Sequence, residues 1–207
     1  MKATLVSKNA HKARELERLL PGWAIEPIDV GELPEETGAT FYENARAKAL
    51  FGRAVGDPGA WMIGEDSGLE VEGLDGRPGI RSARYAGEGA SDEENTAKLL
   101  VELEGVAGDG RRARYVSELV CIAPGLDEYR GTGTLAGRIA VEPRGSGGFG
   151  YDPVFVPEGE EQTVAELGDD WKARSSHRAA AAAALLKTVG LSDRLPRSGS
   201  GPGRRAR

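Results

Sequence analysis

Cysteine and histidine are nearly absent from this 207-residue chain: it has one Cys, two His and two Met, and aromatics make up 6%. A single cysteine excludes an internal disulfide and cannot build a thiolate zinc cluster. Cys121 lies in the apolar run Leu119-Val120-Cys121-Ile122-Ala123, where a buried small hydrophobe is the plain reading. No run approaches the roughly 18 apolar residues that a membrane span needs. The start, Met1 to Val6, passes straight into strand-like sequence without a signal-peptide core. A soluble cytoplasmic protein is therefore expected. Positive charge is also short, with 27 Lys+Arg against 33 Asp+Glu for a net of −6. From Gly190 onward five Arg face only Asp193, which leaves 22 basic against 32 acidic residues in the body, a net of −10. Such a body lacks the basic face that displaces counterions from a duplex, so no nucleic-acid partner is expected.

Glycine is plentiful instead: 30 residues, without any G-X-Y period, about twice the usual share. Outside a low-complexity tract this implies many tight turns and places where backbone approaches a neighbour closely. Hydrophobic patterning predicts a strand over 2–7 and a helix capped by Asn9 that runs to about Leu20, buried through Leu16, Leu19 and Leu20. A second strand is predicted over Trp23–Ile28, then an acidic, turn-rich loop over 29–39. Thr40-Phe41-Tyr42-Glu43 fits a capping box for a helix to about Val55. Trp61–Gly64 reads as a short buried strand that ends on Glu65-Asp66, with a separate half-exposed strand over Leu69–Leu74. A helix begins at Ser91, and strand patterns over 112–123 and 128–141 flank the turn Pro124-Gly125-Leu126-Asp127, a hairpin signature. A last helix is predicted from Asp169 or Asp170 through the alanines at 179–184. Residues 192–207, rich in Ser, Gly, Pro and Arg, are expected to be a disordered basic tail. The order of elements predicts an α/β or α+β protein, a twisted mixed β-sheet flanked by helices.

Four places hold groups suited to chemistry. At the junction Ser7-Lys8-Asn9-Ala10-His11-Lys12, helix N–H groups, a hydroxyl and cations would make an anion site, or an ordinary N-cap. Glu43, Glu65 and Asp66 are oxygen donors suited to Mg²⁺ or Mn²⁺; Glu43 also has a sufficient reason at its helix start, and Glu65-Asp66 would point from the sheet edge. Gly148-Phe149-Gly150-Tyr151-Asp152-Pro153 would let a ring stack on a base, or simply bury an aromatic in a turn. Lys172 precedes His177-Arg178 by five and six positions, in one region but not on one strict helix face.

Together these segments closely resemble the inosine triphosphate pyrophosphatase family. The matches are Ser7-x-Asn9-x-x-Lys12-x-x-Glu15, Thr40-Phe41-x-Glu43-Asn44-Ala45-x-x-Lys48-Ala49 and Asp66-Ser67-Gly68-Leu69. They continue through Gly76-x-Pro78-Gly79 to Ser82-Ala83-Arg84-Tyr85, then Gly147 to Pro153, then Lys172-x-x-x-Ser176-His177-Arg178. The blocks stand in the family's order and cover residues 2–190, so residues 1–191 are read as one catalytic domain. Two departures stand out: Glu65 replaces the usual first Asp of Asp-Asp-Ser-Gly, and Trp171 stands where a charged residue is common.

The resemblance implies two lobes around a nucleotide cleft, a homodimer, and Mg²⁺-dependent hydrolysis of ITP, dITP and XTP to monophosphate and pyrophosphate. It marks Asp66 as proton acceptor, and Glu43 with Asp66 as metal ligands. Ser7, Asn9, Lys12, Lys48 and Lys172 are expected around the phosphates, with Lys8, Ala10, His11 and Ser67 beside them. Phe149 is expected to stack the base, with Gly150, Tyr151, Asp152, His177 and Arg178 around its edge. A 6-oxo purine offers an acceptor that an arginine or backbone N–H would pair, and adenine would leave that donor unpaired. Hydrolysis of other modified nucleotides, or nucleotide binding without turnover, also fits the residues.

Overall fold

The computed structural model describes residues 1–192, so the expected tail, apart from Ser192, lies outside the described residues. The order of elements is β1 (Lys2–Leu5), α1 (Ala10–Leu19), β2 (Ala24–Pro27), α2 (Phe41–Val55) and β3 (Trp61–Val71). It continues with α3 (Asp92–Glu102), β4 (Arg112–Ile122), β5 (Glu128–Ile139), β6 (Phe155–Pro157), α4 (Val164–Ser175) and α5 (His177–Ser192). The strands form one sheet in the order β2-β1-β3-β4-β5-β6. β1 pairs in parallel with β2 and β3, and the remaining pairs are antiparallel. The fold is thus the mixed sheet with helices that the element pattern predicts.

Asn9 caps α1, Thr40 caps α2, and Ser91 closes a full capping box with Glu94 on α3. At α2 the box is not closed: Thr40 accepts from Glu43 N–H, while Glu43 Oε2 accepts from Ala39 N–H at 2.6 Å. The final helix differs from its prediction. A helical turn begins after Thr163, whose box with Glu166 is a signal already present in Thr163-Val164-Ala165-Glu166, and breaks at the non-helical Gly168; helix resumes at Asp169, as predicted, but ends at Ser175 rather than running on through the alanines. Ser176 then starts α5 by accepting from Ala179 N–H, so Lys172 and His177-Arg178 belong to different helices.

The largest correction concerns β3. Glu65 and Asp66 do not end a short strand at the sheet edge; they lie inside one 11-residue strand and face Leu119 and Glu118 of β4 across the ladder. Gly-Glu-Asp-Ser-Gly is poor strand sequence, and the pattern breaks there for that reason. Partners on both faces override the propensity.

One face of the sheet carries two hydrophobic clusters. The first joins Leu5, Ile63, Leu119 and Cys121 to Leu16 and Leu20 of α1 and Leu185 of α5. The second joins Leu69, Val71 and Tyr115 to Leu99, Leu103, Phe155 and Val164. Between them, on the same face, stand Glu65, Ser67 and Ser117, so the boundary between the two clusters is a polar strip. On the opposite face α2 packs through Ala45 and Ala49 on Val120 and Ile122. Cys121 is fully buried as expected, and burial pushes its thiol up.

Glycine brings the helices close. A methyl group at Gly64 would overlap the Ala45 carbonyl of α2, and one at Gly133 would overlap the His177 carbonyl of α5. Gly133→Ala should therefore push α5 away from β5 and lower stability by about 1–3 kcal/mol in urea melts. Gly125→Ala, in the open hairpin turn, should lie within about 0.5 kcal/mol of wild type.

Candidate functional site

Successive strand residues face opposite sides of a sheet, so Glu65 and Asp66 cannot share a pocket. Glu65 enters the side of α1 and α5. Its Oε2 lies 2.5 Å from Lys12 Nζ, and its Oε1 accepts from Arg178 at 3.0 and 3.2 Å. Arg178 also donates to Ser67 Oγ at 3.1 Å and pairs with Glu15. Glu15 binds Lys172 at 2.7 Å, and Lys172 binds Asp152 at 2.9 Å. The result is a chain of three acids and three bases, Lys12-Glu65-Arg178-Glu15-Lys172-Asp152, with no net charge. Burial works against the charged form of Glu65, but Lys12 and Arg178 outweigh it and hold the carboxyl far below the usual carboxylate range. Burial, conversely, raises Asp152 despite Lys172.

This chain borders a cavity of about 110 Å³, lined also by Asn9, Ser67, Phe149, Tyr151 and His177. Lys172 Nζ sits 4.3 Å from the Phe149 ring centre, and His11 is 5.5 Å away on the same ring. Lys172, expected among phosphates, thus lies at the aromatic end of the cavity, neutralised by Glu15 and Asp152. Phe149 N–H donates to Asp152 Oδ2 at 2.9 Å and Gly150 N–H to Asp92 Oδ2 at 2.7 Å, which fixes the glycine-rich turn. Tyr151 donates its hydroxyl to the Ser82 carbonyl at 2.8 Å, a latch between loops. His177 stacks on Tyr115 with ring centres 4.5 Å apart, its Nδ1 without a hydrogen-bond partner among the described residues. Burial, reinforced by the nearby Arg178, holds this imidazole neutral well below the usual histidine range.

At the start of α1, Asn9 Oδ1 accepts from His11 and Lys12 N–H, so two of the helix donors expected for an anion are already spent. Ser7 Oγ accepts from Asn9 N–H, and Ala10 begins the helix. Lys8 reaches the Gly31 carbonyl at 2.5 Å and does not line the cavity.

Asp66 enters the α2 side. Lys48 Nζ donates to its Oδ1 at 3.1 Å and to the Glu65 carbonyl at 3.1 Å, and Asn44 donates to Oδ2 at 3.2 Å. Burial raises the Asp66 carboxyl, with Glu36 and Glu65 adding to the rise against Lys48 and Lys12. Glu43 is exposed and turned to Ala39; no hydrogen bond joins it to Asp66. Among the described residues no three His, Cys, Asp or Glu side chains gather to hold a metal. Two carboxylates still suit Mg²⁺, a cation commonly held by one or two carboxylates together with substrate phosphates.

Several site residues were not singled out from the sequence. Glu15 stood only as the last position of the first motif, without a role, because its partners Lys172 and Arg178 are far along the chain. Tyr115 shares a β4 face with Ser117 and Leu119, and that alternation was its only local signal. Glu36 and Arg84, which pair with each other and through Glu36 with Lys48, had none beyond loop composition and a motif.

The Ham1 family profile matches residues 3–188. The chain belongs to the Ham1 family. A protein named dITP/XTP pyrophosphatase from Bdellovibrio bacteriovorus is 50% identical over 154 residues, 74% of this chain and 77% of that one. Another of that name from Geobacter sulfurreducens is 42% identical over 90% of this chain and 95% of its own. Among solved structures, the Staphylococcus aureus Ham1 protein superposes with a TM-score of 0.79 at 36% identity, covering 93% of this chain and 99% of that one. The family resemblance of the motifs therefore holds over the whole described body.

Within this family fold, the buried neutral His177 makes stability depend on pH. The unfolded chain protonates this imidazole first, so stability should fall as pH drops below about 6.5, by up to about 1.4 kcal/mol per unit. Facing groups are Arg178, Lys172 and Lys12 against Glu65. His177→Gln should lack that slope in urea melts between about pH 7.5 and 5.5, with His11 retained in both proteins.

Proposed function

We propose that this protein is a nucleoside-triphosphate pyrophosphatase that hydrolyses non-standard purine nucleotides (ITP, dITP and XTP) to the monophosphate and pyrophosphate. The observation that carries this reading is β3, which presents Ser67 to the cavity holding Phe149 and, one residue earlier, Asp66 to Lys48. A nucleotide lying across this strand would have its base at Phe149 and its phosphates toward Lys12 and Lys48. Asp66 takes the proton of the water that attacks phosphorus as the bond to the pyrophosphate leaving group breaks. Its burial makes it a better base than a solvated carboxylate. Lys48 keeps that carboxylate in place and offers positive charge to the reacting phosphate. Glu43 and Asp66 would hold Mg²⁺, with Mn²⁺ as substitute, and the ion would supply charge neutralisation on the phosphates.

For the base, four contacts from Arg178 engage Glu65, Glu15 and Ser67. Of the five donors of a guanidinium this leaves one N–H to pair with a purine 6-oxo group. Glu65, one methylene longer than the aspartate usual here, meets both Lys12 and Arg178 from a fully buried position. We further propose a cytoplasmic homodimer, readable by sedimentation and cell fractionation. No helix among the described residues is long and apolar enough to cross a membrane.

Incubation with ITP, XTP, ATP and GTP plus Mg²⁺ should release pyrophosphate, fastest from ITP and XTP, and a chelator should stop it. Orthophosphate as first product, or equal turnover of all four, overturns the reading. Asp66→Asn should lower turnover by about 10²–10⁴-fold with a native-like melt; a near-wild-type rate removes Asp66 as proton acceptor.

A further inference from the structure

Three side chains on one face of α3, Asp92, Asn95 and Thr96, hold two separate loops. Asp92 Oδ2 accepts from Gly150 N–H at 2.7 Å, and Thr96 Oγ1 donates to the Gly150 carbonyl at 3.4 Å. Asn95 is buried; it accepts from Ala86 N–H at 2.7 Å and donates to the Ala83 carbonyl at 3.2 Å. Tyr151 joins the two loops to each other through its bond to the Ser82 carbonyl. These contacts close a ring: α3 to Gly150, Tyr151 to Ser82, and Ala83 and Ala86 back to α3. Ser82, Ala83, Asp92, Gly150 and Tyr151 all line the cavity that holds Phe149, so the ring forms one of its walls. The ion chain from Lys12 to Asp152 forms another.

The ring wall needs fastening because the turn does not define itself. Gly148 and Gly150 both adopt positive φ, 76° and 63°. Glycine reaches this region and negative φ at similar cost, so an unfastened turn would sample many paths. On one side Asp152 fastens it through Phe149 N–H. On the other, among the described residues, both backbone groups of Gly150 bond to α3 alone. Asp92 makes the shorter of those two bonds, and it is charge-assisted. Ser91 and Glu94 already cap α3, which leaves the Asp92 carboxylate to the Gly150 peptide.

We propose that Asp92 is a positioning residue for the nucleotide base: by holding the Gly150 peptide it keeps Phe149 and Tyr151 where the purine binds. The proposal rests on the nucleotide reading above and adds to it a helix, α3, that holds none of the groups assigned to phosphate or metal. Asp92 acts through Gly150 and does not touch the reacting phosphates. Its loss lowers the fraction of protein whose turn is ready for the base, and apparent affinity falls with that fraction. The base is held alike before and during bond breaking, so ground state and transition state lose equally. KM rises and kcat is kept.

Two measurements on the full chain test this: steady-state hydrolysis of ITP, and calorimetric titration with inosine monophosphate, which reads binding without turnover. Asp92→Ala should raise KM about tenfold with kcat within about twofold of wild type, and weaken monophosphate binding by the same factor. Asp92→Asn keeps a side-chain carbonyl for Gly150 N–H and should restore both to within about threefold of wild type. Glu93→Ala removes another acid from the first turn of α3, leaves Asp92 on Gly150, and should match wild type. Wild-type KM and monophosphate affinity in Asp92→Ala overturn the proposal, as does a fall in kcat at unchanged KM. An equal loss in Glu93→Ala overturns it, and so does an Asp92→Asn protein as weak as Asp92→Ala, which would make charge responsible and not the Gly150 contact. Protein that binds the monophosphate in an Asp92-dependent way but releases no pyrophosphate overturns the reaction and leaves this role of Asp92 standing.

Discussion

Adjacent acids in a strand must face opposite sides of the sheet, and at Glu65-Asp66 both sides are buried. Each carboxylate would be costly there without a matching cation. The chain answers with Lys12 and Arg178 on one face and Lys48 on the other. Those three cations come from α1, α5 and α2, so the positions of these three helices around the central strands are tied to one dipeptide. Glycines at Gly64 and Gly133 permit the close approach of α2 and α5 that this pairing needs.

The same constraint divides the labour of the site. On the α1 and α5 face, an alternating chain of buried acids and bases cancels its own charge and surrounds an aromatic ring. That environment suits a neutral planar base, and it leaves Lys12, the end member with Glu65 as its acid, as the cation that would face phosphate in the proposed reading. On the α2 face Lys48, Asp66, Glu36 and Arg84 stand in a second network, where burial raises the acid that would take a proton. A planar ring and a polyanion need such different surroundings, and a single strand separates the two networks by the width of its backbone.

The departures from family pattern find ordinary physical places. Glu65 has the reach to contact two cations at once, and Trp171 packs against the second hydrophobic cluster while its indole N–H donates to Glu160 at 3.0 Å. The high glycine content likewise resolves into close helix approaches and a fixed turn around Phe149.

Much was legible in the amino-acid order alone. The caps at Asn9, Thr40 and Ser91, the β4-β5 hairpin and the mixed sheet follow from local periodicity and turn chemistry. The family followed from ordered motifs, which need no geometry. The path of β3 was not legible, because the local propensity of Glu-Asp-Ser-Gly opposes a strand and only partners distant in sequence reverse it. The start of α4 was legible in its capping box but was masked by the acidic pair Asp169-Asp170. Which cation meets which acid was decided by tertiary structure alone. Glu15 to Arg178, and Glu36 to Lys48 and Arg84, are pairings across long sequence separations, and charge pairing leaves no periodic trace in a sequence.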